Sequence, residues 1–128
     1  MSDTCPFCSL PAERVVAQGS HTVTIRDAYP ASPGHTLVIA RRHVESFFDA
    51  TADEQAGILA AVAEARLALD AELHPDGYNV GVNVGVAAGQ TVMHVHVHVI
   101  PRFTGDTPNP RGGVRHCIPG RGNYEPKP

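Results

Sequence analysis

The sequence predicts a single α+β domain in which an antiparallel sheet of about five strands packs against one long and one short helix. Three observations support this. The chain has 128 residues, enough for one domain with a substantial core. Hydrophobic residues make up 42% of it and charged residues 18%, a composition typical of globular proteins. The predicted elements run strand, strand, strand, helix, strand, strand, and this order contains no repeating β-α-β unit.

The first third of the chain is predicted to form three strands. Residues 13–18 (ERVVAQ) and 21–26 (HTVTIR) are rich in β-branched side chains, and Gly19-Ser20 between them is a good two-residue hairpin turn. The prolines and the glycine of residues 30–34 predict a loop. The apolar run 36–40 (TLVIA) then predicts a buried strand.

The helices are expected in the middle of the chain. A short helical turn is expected over 44–48. Thr51 and Glu54 then have the spacing of a capping box, which predicts the start of a long helix that ends near residue 73. Its large apolar residues are predicted to share the face that packs on the sheet: Leu59, Val62, Leu69 and Leu73.

Two strands and a tail complete the predicted domain, which we take as residues 1–128. Residues 78–84 (YNVGVNV) and 93–100 (MHVHVHVI) are predicted strands, separated by the glycine-rich loop 85–91. Residues 101–128 contain many prolines and several glycines, so we expect an irregular C-terminal tail there.

Charge and hydropathy exclude several classes of function. The formal net charge is −3, and no block of lysine and arginine stands out, which argues against a nucleic-acid partner. No apolar run approaches the ~20 residues that a membrane helix needs. Residues 1–10 lack the basic and then apolar profile of a secretory signal. We therefore expect a cytoplasmic protein without a membrane partner.

Three alternating histidines are the strongest functional signal. On a strand, His94, His96 and His98 share one face, while the intervening valines point to the opposite, core-facing side. The imidazole face must then be solvated or line a polar site, because unpaired polar groups are costly to bury.

Three interpretations of this strand remain open at this point. The histidines can lie on an exposed face without a function. All three can bind one metal ion, although the first and third would be about 13 Å apart along a straight strand. The third interpretation is catalysis, because a neutral imidazole is a competent nucleophile near neutral pH. The preceding loop offers backbone N–H groups, Gln90 and Thr91 for anion binding, which favours phosphoryl transfer.

These residues resemble a known family. The segment from His94 to Ile100 resembles the histidine triad (HIT) signature, in which three histidines alternate with apolar residues. The segments 89–91 (GQT) and 33–39 (PGHTLVI) are also similar to that family, and the resemblance covers about residues 5–102. It implies the HIT-like α+β fold, and it is nearest to the dinucleoside polyphosphate hydrolase (fragile histidine triad-like) branch.

The resemblance also implies roles for individual residues. His96 would attack the α-phosphorus of a nucleotide to form a nucleotidyl-histidine intermediate, and water would then release a nucleoside monophosphate. His98 would contact phosphate or leaving-group oxygens, and His35 would line the same pocket. The resemblance assigns nucleotide binding to a further set of residues: Asp27 at the ribose, Asn83 at the phosphate, and Gly89, Gln90 and Thr91 in the loop. His35 can instead cap a loop, and Asp27 and Asn83 can be ordinary structural residues.

Cys5 and Cys8 suggest a metal site in an N-terminal segment of residues 1–12. Their two-residue spacing suits zinc or redox chemistry, and their position before a hairpin rather than at a helix N-terminus disfavours redox. By resemblance to zinc-containing bacterial relatives, His43 and His94 would complete the site. Four protein ligands would make the zinc structural. The alternative is two reduced cysteines without a metal.

The function that the sequence favours is hydrolysis of a nucleotide phosphoanhydride, such as a dinucleoside polyphosphate, through His96. A phosphoramidate hydrolase, a nucleotidyltransferase and a non-catalytic nucleotide-binding protein remain alternatives. A third histidine at position 98 favours hydrolysis, because the transferase branch usually has glutamine there. The resemblance further implies a homodimer, and no organic cofactor is expected.

Overall fold

The fold is an antiparallel five-stranded sheet with one long helix on one face, as predicted. The computed structural model describes residues 4–124. The sheet order is β1-β2-β3-β5-β4, and every neighbouring pair is antiparallel. The helix α1 precedes the fourth strand in the chain. The bounds are β1 Val15–Gln18, β2 Thr22–Arg26, β3 Thr36–Ala40, α1 Ala52–Leu73, β4 Gly77–Val82 and β5 His96–Arg102.

Short 3-10 turns connect these elements. The expected short helix is one such turn, and it lies at Phe47–Asp49, slightly later than the predicted 44–48. Ser46 caps it, because its side chain accepts a hydrogen bond from the Phe48 backbone N–H at 3.1 Å. No helix among the described residues 4–124 is long and apolar enough to cross a membrane.

The long helix starts as the sequence predicts. The Thr51 hydroxyl accepts the Glu54 backbone N–H at 3.1 Å, and the Glu54 carboxylate accepts the Thr51 backbone N–H at 2.8 Å, which completes the capping box. The helix ends at His74, which adopts the left-handed conformation with φ 50°.

One part of the predicted helix face is wrong. Ile58 and Leu69 are fully buried against the sheet, and Val62 and Leu73 pack beside them, but Leu59 is 63% exposed. Residue 58 takes the core position, so residue 59 is turned about 100° around the axis to the outer surface. The many alanines of this helix contrast weakly with its large apolar residues, and so the sequence leaves the orientation poorly defined.

The two faces of the sheet bury different sets of residues. The helix side holds the valines of the histidine segment, Val95, Val97 and Val99, together with Val38 and Ile58. The opposite face carries a smaller apolar cluster of Ile25, Leu37 and Ile39, against which Phe7 and Leu10 of the N-terminal segment pack. The predicted division between a valine face and a histidine face is confirmed.

The histidine strand has different limits from those predicted. Strand β5 begins at His96 rather than residue 93, and it continues through Pro101 to Arg102. Before it, the Val95 N–H donates to the Val44 carbonyl at 2.8 Å, and the Val95 carbonyl accepts from the Ala40 N–H at 3.0 Å. These bonds hold residue 94 just outside the regular ladder, at the start of the strand.

Candidate active site and metal centre

His96 is the central histidine of the sheet. It opens β5 between the neighbouring strands β3 and β4, and only 8% of the residue is exposed. Its Nδ1 lies 2.7 Å from the backbone carbonyl oxygen of His94. Because a carbonyl can only accept a hydrogen bond, the proton of the neutral ring is on Nδ1. The Nε2 atom therefore carries the lone pair, as a nucleophile requires.

His98 and His35 form a hydrogen-bonded pair beside it, and the Asp27 carboxylate lies next to His35. The Ala31 backbone N–H donates to His35 Nδ1 at 2.9 Å, so the His35 proton is on Nε2. That Nε2 lies 2.9 Å from His98 Nδ1 and 3.5 Å from an Asp27 carboxylate oxygen. His35 therefore donates to His98, whose own proton must be on Nε2. The spacing of these three residues would also suit a metal ion. However, His35 Nε2 carries a proton and has no lone pair to offer a metal, so we interpret the group as a set of hydrogen-bonding side chains rather than a metal site.

Burial keeps both of these imidazoles neutral. Desolvation lowers the pKa of His98 below its ordinary value, and the neighbouring His96 and His35 lower it further. Desolvation also lowers the pKa of His35, while the Asp27 carboxylate opposes this shift for both rings. His98 is therefore a neutral hydrogen-bond donor through Nε2 at neutral pH.

A second cluster joins the N-terminal segment to the start of β5. The ligand atoms of Cys5, Cys8, His43 and His94 all lie within 4.8 Å of one another. The His94 Nδ1 is 3.4 Å from Cys5 Sγ, 3.6 Å from Cys8 Sγ and 3.2 Å from His43 Nδ1. His94 Nε2 donates to the Ala40 carbonyl at 2.6 Å, so the lone pair on Nδ1 faces the cluster.

These spacings fit a tetrahedral zinc site. Zinc bonds of about 2.3 Å to sulfur and 2.0–2.1 Å to nitrogen place neighbouring ligand atoms roughly 3.3–3.8 Å apart. Cys8 Sγ and His43 Nδ1 are slightly closer, at 3.1 Å. A buried His94 whose second nitrogen is fixed by a carbonyl is the usual arrangement of a zinc-bound histidine. The residues present therefore fit the metal.

The loop that supplies His43 is fixed by its neighbours. Arg42 forms two hydrogen bonds with the Glu54 carboxylate, at 3.0 and 2.8 Å, and Glu54 is the capping-box residue of α1. The bond to Arg42 is the main cause that lowers the pKa of Glu54 to about 2. Arg41 donates to the Gly19 carbonyl at 2.8 Å. The helix and the first hairpin thus both hold this metal-binding loop.

Comparison with known proteins identifies the family. The HIT domain model matches residues 11–105. The chain belongs to the HIT domain family. It is 39% identical over 107 residues to an uncharacterized HIT-like protein of Methanocaldococcus jannaschii, and the match covers 80% of this chain and 81% of that one.

Two further similarities concern activity and metal. An AP-4-A phosphorylase of Mycobacterium tuberculosis is 39% identical over 107 residues, which span 79% of this chain and 55% of that enzyme. A crystal structure of a zinc-bound histidine triad family protein from Mycobacterium smegmatis superposes with a TM-score of 0.76 at 36% identity, covering 85% of this chain and 82% of that one. The HIT fold predicted from the sequence is confirmed.

The glycine-rich loop of this HIT domain is organised differently from the prediction. The Gln90 side chain is buried, where its oxygen accepts the Gly85 N–H at 2.8 Å and its nitrogen donates to the carbonyls of Glu45 and Val92. All hydrogen-bonding capacity of the Gln90 NH₂ group is used there, so these bonds do not support its predicted phosphate contact. The N–H of Gly89, likewise assigned to nucleotide binding, bonds within the loop to the Val86 carbonyl at 2.9 Å.

The other predicted nucleotide-binding residues lie around the histidines of the HIT domain. Asn83 is exposed just beyond β4, and continuing the β4–β5 register places it opposite His96. Thr91 is exposed in the loop. Asp27 accepts the Tyr29 N–H at 2.8 Å and lies against His35 on the histidine face of the sheet.

Sequence analysis missed Phe7, whose ring packs against His96. Its ring centroid lies 5.0 Å from that of His96 and 6.1 Å from that of His94, in edge contacts. Phe7 stands between Cys5 and Cys8, so metal binding by these cysteines places the ring over the histidine face. The sequence signal that could have predicted this contact is the large aromatic residue inside the Cys-x-x-Cys pair.

Proposed function

We propose that the protein is a nucleotide hydrolase that cleaves a phosphoanhydride at the α-phosphorus through a covalent intermediate on His96. The bond between His96 Nδ1–H and the His94 carbonyl supports this most directly, because it presents a neutral Nε2 lone pair at the centre of the sheet. In the neutral ring this bond holds the proton on Nδ1, so Nε2 is the atom that would attack.

The reaction has two balanced steps. His96 Nε2 attacks the α-phosphorus, a nitrogen–phosphorus bond forms, and the bond to the leaving-group oxygen breaks, so that the leaving group departs with the electron pair. His98 donates its Nε2–H to an oxygen of the transferring phosphoryl group or the leaving group, which stabilises the developing charge. Water then attacks phosphorus, the bond to His96 breaks, and a nucleoside monophosphate leaves while the water proton passes to solvent.

The flanks of the histidine face suit a nucleotide. On the β3 side lies the apolar surface of Ile25 and Leu37, with Leu10 beside it, and this surface fits a nucleobase. Asn83 stands on the β4 side, where it reaches phosphate oxygens, and Thr91 adds a donor. Asp27 lies beside the apolar surface, which agrees with its predicted contact to ribose hydroxyls.

Replacing the nucleophile tests this function. His96→Asn keeps a hydrogen-bonding side chain of similar shape but removes the Nε2 nucleophile. It should abolish hydrolysis of a dinucleoside polyphosphate and preserve nucleotide affinity within a few-fold. The matched control is His74→Asn, because His74 is the exposed left-handed cap of α1 and asparagine adopts that conformation readily, so this variant should retain activity. Wild-type turnover by the His96 variant would disprove the mechanism.

A transferase reaction is the second candidate. The 39% identity to a protein named AP-4-A phosphorylase favours it, and in that reaction inorganic phosphate would replace water in the second step. Turnover of a dinucleoside tetraphosphate with and without inorganic phosphate separates the two reactions. Hydrolysis gives a nucleoside monophosphate and a nucleoside triphosphate, whereas phosphorolysis gives a nucleoside diphosphate and a nucleoside triphosphate. Turnover of a nucleoside phosphoramidate tests the alternative that the protein is a phosphoramidate hydrolase. Nucleotide binding without turnover of any of these substrates would support the non-catalytic alternative.

The zinc in this proposal is structural. Cys5, Cys8, His43 and His94 would occupy all four positions, so that none is left for water or substrate. Zinc supplies a fixed cross-link between the N-terminal segment and β5 when bound. Its thiolate ligands require reduced cysteines, which suits the cytoplasmic location that the sequence predicts.

We also propose that two copies form a dimer through β4 and α1. Strand β4 is an edge of the sheet, so its outer backbone groups are open to pairing. Beside it, α1 exposes Leu59 (63%) and Leu67 (64%), and β4 exposes Val80 (44%). An apolar patch next to an open strand edge is a self-complementary surface for a twofold dimer.

A further inference from the structure

The C-terminal segment 107–124 folds back onto the histidine face of the sheet. Tyr78 hydrogen-bonds Asp70 on α1, so the next residue of β4, Asn79, points to the opposite face, where the histidines lie. The Asn79 amide oxygen accepts from Arg102 at 2.6 Å, and Gly113 lies directly against the Asn79 amide nitrogen. The segment therefore docks at the β4 end of the catalytic face.

The docking point is close to the reacting histidines. Asn79 pairs with Ile100, and His98 is two residues along the same strand. Two residues of strand and one strand spacing correspond to about 8 Å. A substrate whose α-phosphorus meets His96 has its remaining phosphates on this side, because the apolar surface of Ile25 and Leu37 occupies the other.

The segment has a defined internal structure. Gly112 has φ 88° and lies so close to the Gly122 backbone that a side chain at position 112 would collide with it. A side chain at position 122 would collide with the His116 ring. The Arg115 guanidinium donates to the Arg121 carbonyl at 3.0 Å. His116 donates to the Arg111 carbonyl at 2.9 Å. These contacts fold residues 111–122 into one compact loop.

The Tyr124 ring holds two arginine side chains of this loop in place. The guanidinium carbon of Arg115 lies 4.5 Å from the Tyr124 ring centroid, and that of Arg111 lies 5.3 Å from it. Residues 101–128 contain four arginines and one lysine against one aspartate and one glutamate, although the whole chain has a net charge of −3. Positive charge is therefore concentrated next to the catalytic face of an acidic protein.

We propose that Arg111 and Arg115 form an anion subsite for the polyphosphate chain of the substrate, beyond the phosphate that His96 attacks. This inference rests on the proposed function and narrows it, because it selects a leaving group with several phosphates over an amine. Guanidinium groups pair with phosphate oxygens through two hydrogen bonds, and pre-positioned ones lose little entropy on binding. Two arginines on one short loop suit a short oligophosphate better than a nucleic-acid backbone, which needs a longer basic surface.

The experiment compares variants of equal charge. The test variant is Arg111→Gln with Arg115→Gln. The matched control is Arg26→Gln with Arg66→Gln, whose arginines pair with Glu72 and Asp70 of α1 on the other side of the sheet. Both pairs of substitutions are made in the His96→Asn background for binding measurements and in the wild type for turnover measurements. Circular dichroism and zinc content are used to check that each variant is folded.

Binding is measured with inorganic tripolyphosphate, with a nucleoside monophosphate and with a dinucleoside tetraphosphate. The test variant should weaken tripolyphosphate and dinucleotide binding about tenfold and leave monophosphate binding within twofold, while the control changes none of them. An Arg111→Lys, Arg115→Lys pair keeps the charge and should retain most of the affinity. Equal binding by test and control variants, or equal loss with the lysine and glutamine pairs, would overturn the subsite.

Turnover separates this inference from the proposed function. The test variant should lower kcat/KM for the dinucleoside tetraphosphate about tenfold and leave a nucleoside phosphoramidate unchanged. If the wild type hydrolyses neither substrate but its tripolyphosphate affinity still depends on Arg111 and Arg115, the subsite stands and the hydrolase proposal fails. If the wild type is active and the test variant matches the control, the subsite is wrong and the hydrolase proposal stands.

Discussion

The backbone carbonyl of His94 accepts the Nδ1–H of His96 at 2.7 Å, while the side chain of the same His94 points its own Nδ1 at Cys5, Cys8 and His43. His94 therefore links the candidate metal cluster to the proposed nucleophile. Its side chain belongs to the cluster, and its main-chain carbonyl fixes the tautomer of the neutral His96 ring. In the proposed mechanism the metal site would act on catalysis through position alone.

Loss of the metal site should destabilise the protein more than it changes chemistry. Cys8→Ser should reduce bound zinc to below half an equivalent and lower the thermal midpoint by about 10 °C, because the N-terminal segment loses its cross-link to the sheet. Cys117→Ser is the matched control, since Cys117 is exposed and outside the cluster. Metal analysis and thermal denaturation check both. Full zinc content in the Cys8 variant would contradict the assigned ligands.

The buried imidazoles should titrate at unusually low pH. Burial lowers the pKa values of His98 and His35, and the Asp27 carboxylate counteracts this, so Asp27→Asn should lower both further. The unfolded chain binds these protons at a higher pH than the folded one, so the free energy of unfolding should decrease as pH falls below about 6.5. Proton NMR titration of the ring resonances checks the shifts. Midpoints that rise in the Asp27 variant would contradict the assigned contacts.

Glu54 should stabilise both α1 and the metal-binding loop. Glu54→Gln removes the charge from the pair with the exposed Arg42 and weakens the capping box, so it should cost about 1 kcal/mol of unfolding free energy. Because the folded-state pKa of Glu54 is about 2, its stabilisation is present above pH ~4.3 and is lost as pH falls toward that value. Urea denaturation at two pH values checks this. Glu64→Gln, on an exposed part of α1, is the control, and an equal loss there would exclude a specific role for Glu54.

The proposed dimer should depend on the outer face of α1. Leu67→Glu places a charge in the centre of the apolar patch and should convert the dimer to a monomer in sedimentation or light-scattering measurements. Val16→Glu, on the opposite edge strand β1, is a matched control because Val16 is 56% exposed. If the Val16→Glu variant were monomeric and the Leu67→Glu variant remained a dimer, the interface would lie at β1 and not at β4.

The sequence predicts those features that depend on local chemistry. The hairpin between β1 and β2, the capping box of Thr51 and Glu54 and the alternation around His96 are each specified by a few adjacent residues, and the structure has all three. The hairpin turn lies at residues 20–21, one residue later than predicted, because Gln18 pairs with Val23 and the Gly19 N–H donates to the Thr22 carbonyl. The Cys-x-x-Cys pair, together with the family resemblance, also led to the cluster that the structure brings together.

Features that depend on contacts between distant segments were not predictable. Whether Leu59 or Ile58 faces the core depends on the rotation of α1 over the sheet, which an alanine-rich helix specifies weakly. Gln90 has the chemistry of a phosphate ligand, and only its burial against the Glu45 carbonyl shows that it braces the loop. No pattern in the sequence of the tail indicates that Gly113 docks beside Asn79, because this contact exists only once β4 has folded.

Direct detection of a nucleotidyl group on His96 is the most decisive measurement. The enzyme is mixed with a dinucleoside polyphosphate labelled at the α-phosphate and is denatured in alkali within milliseconds, since phosphorus–nitrogen bonds survive there. Peptide mapping by mass spectrometry should place the nucleotidyl group on the imidazole of His96, with none on His98 or His35 and none in the His96→Asn variant. Turnover with no labelled protein at any time, or a label on another residue, would contradict His96 as the nucleophile.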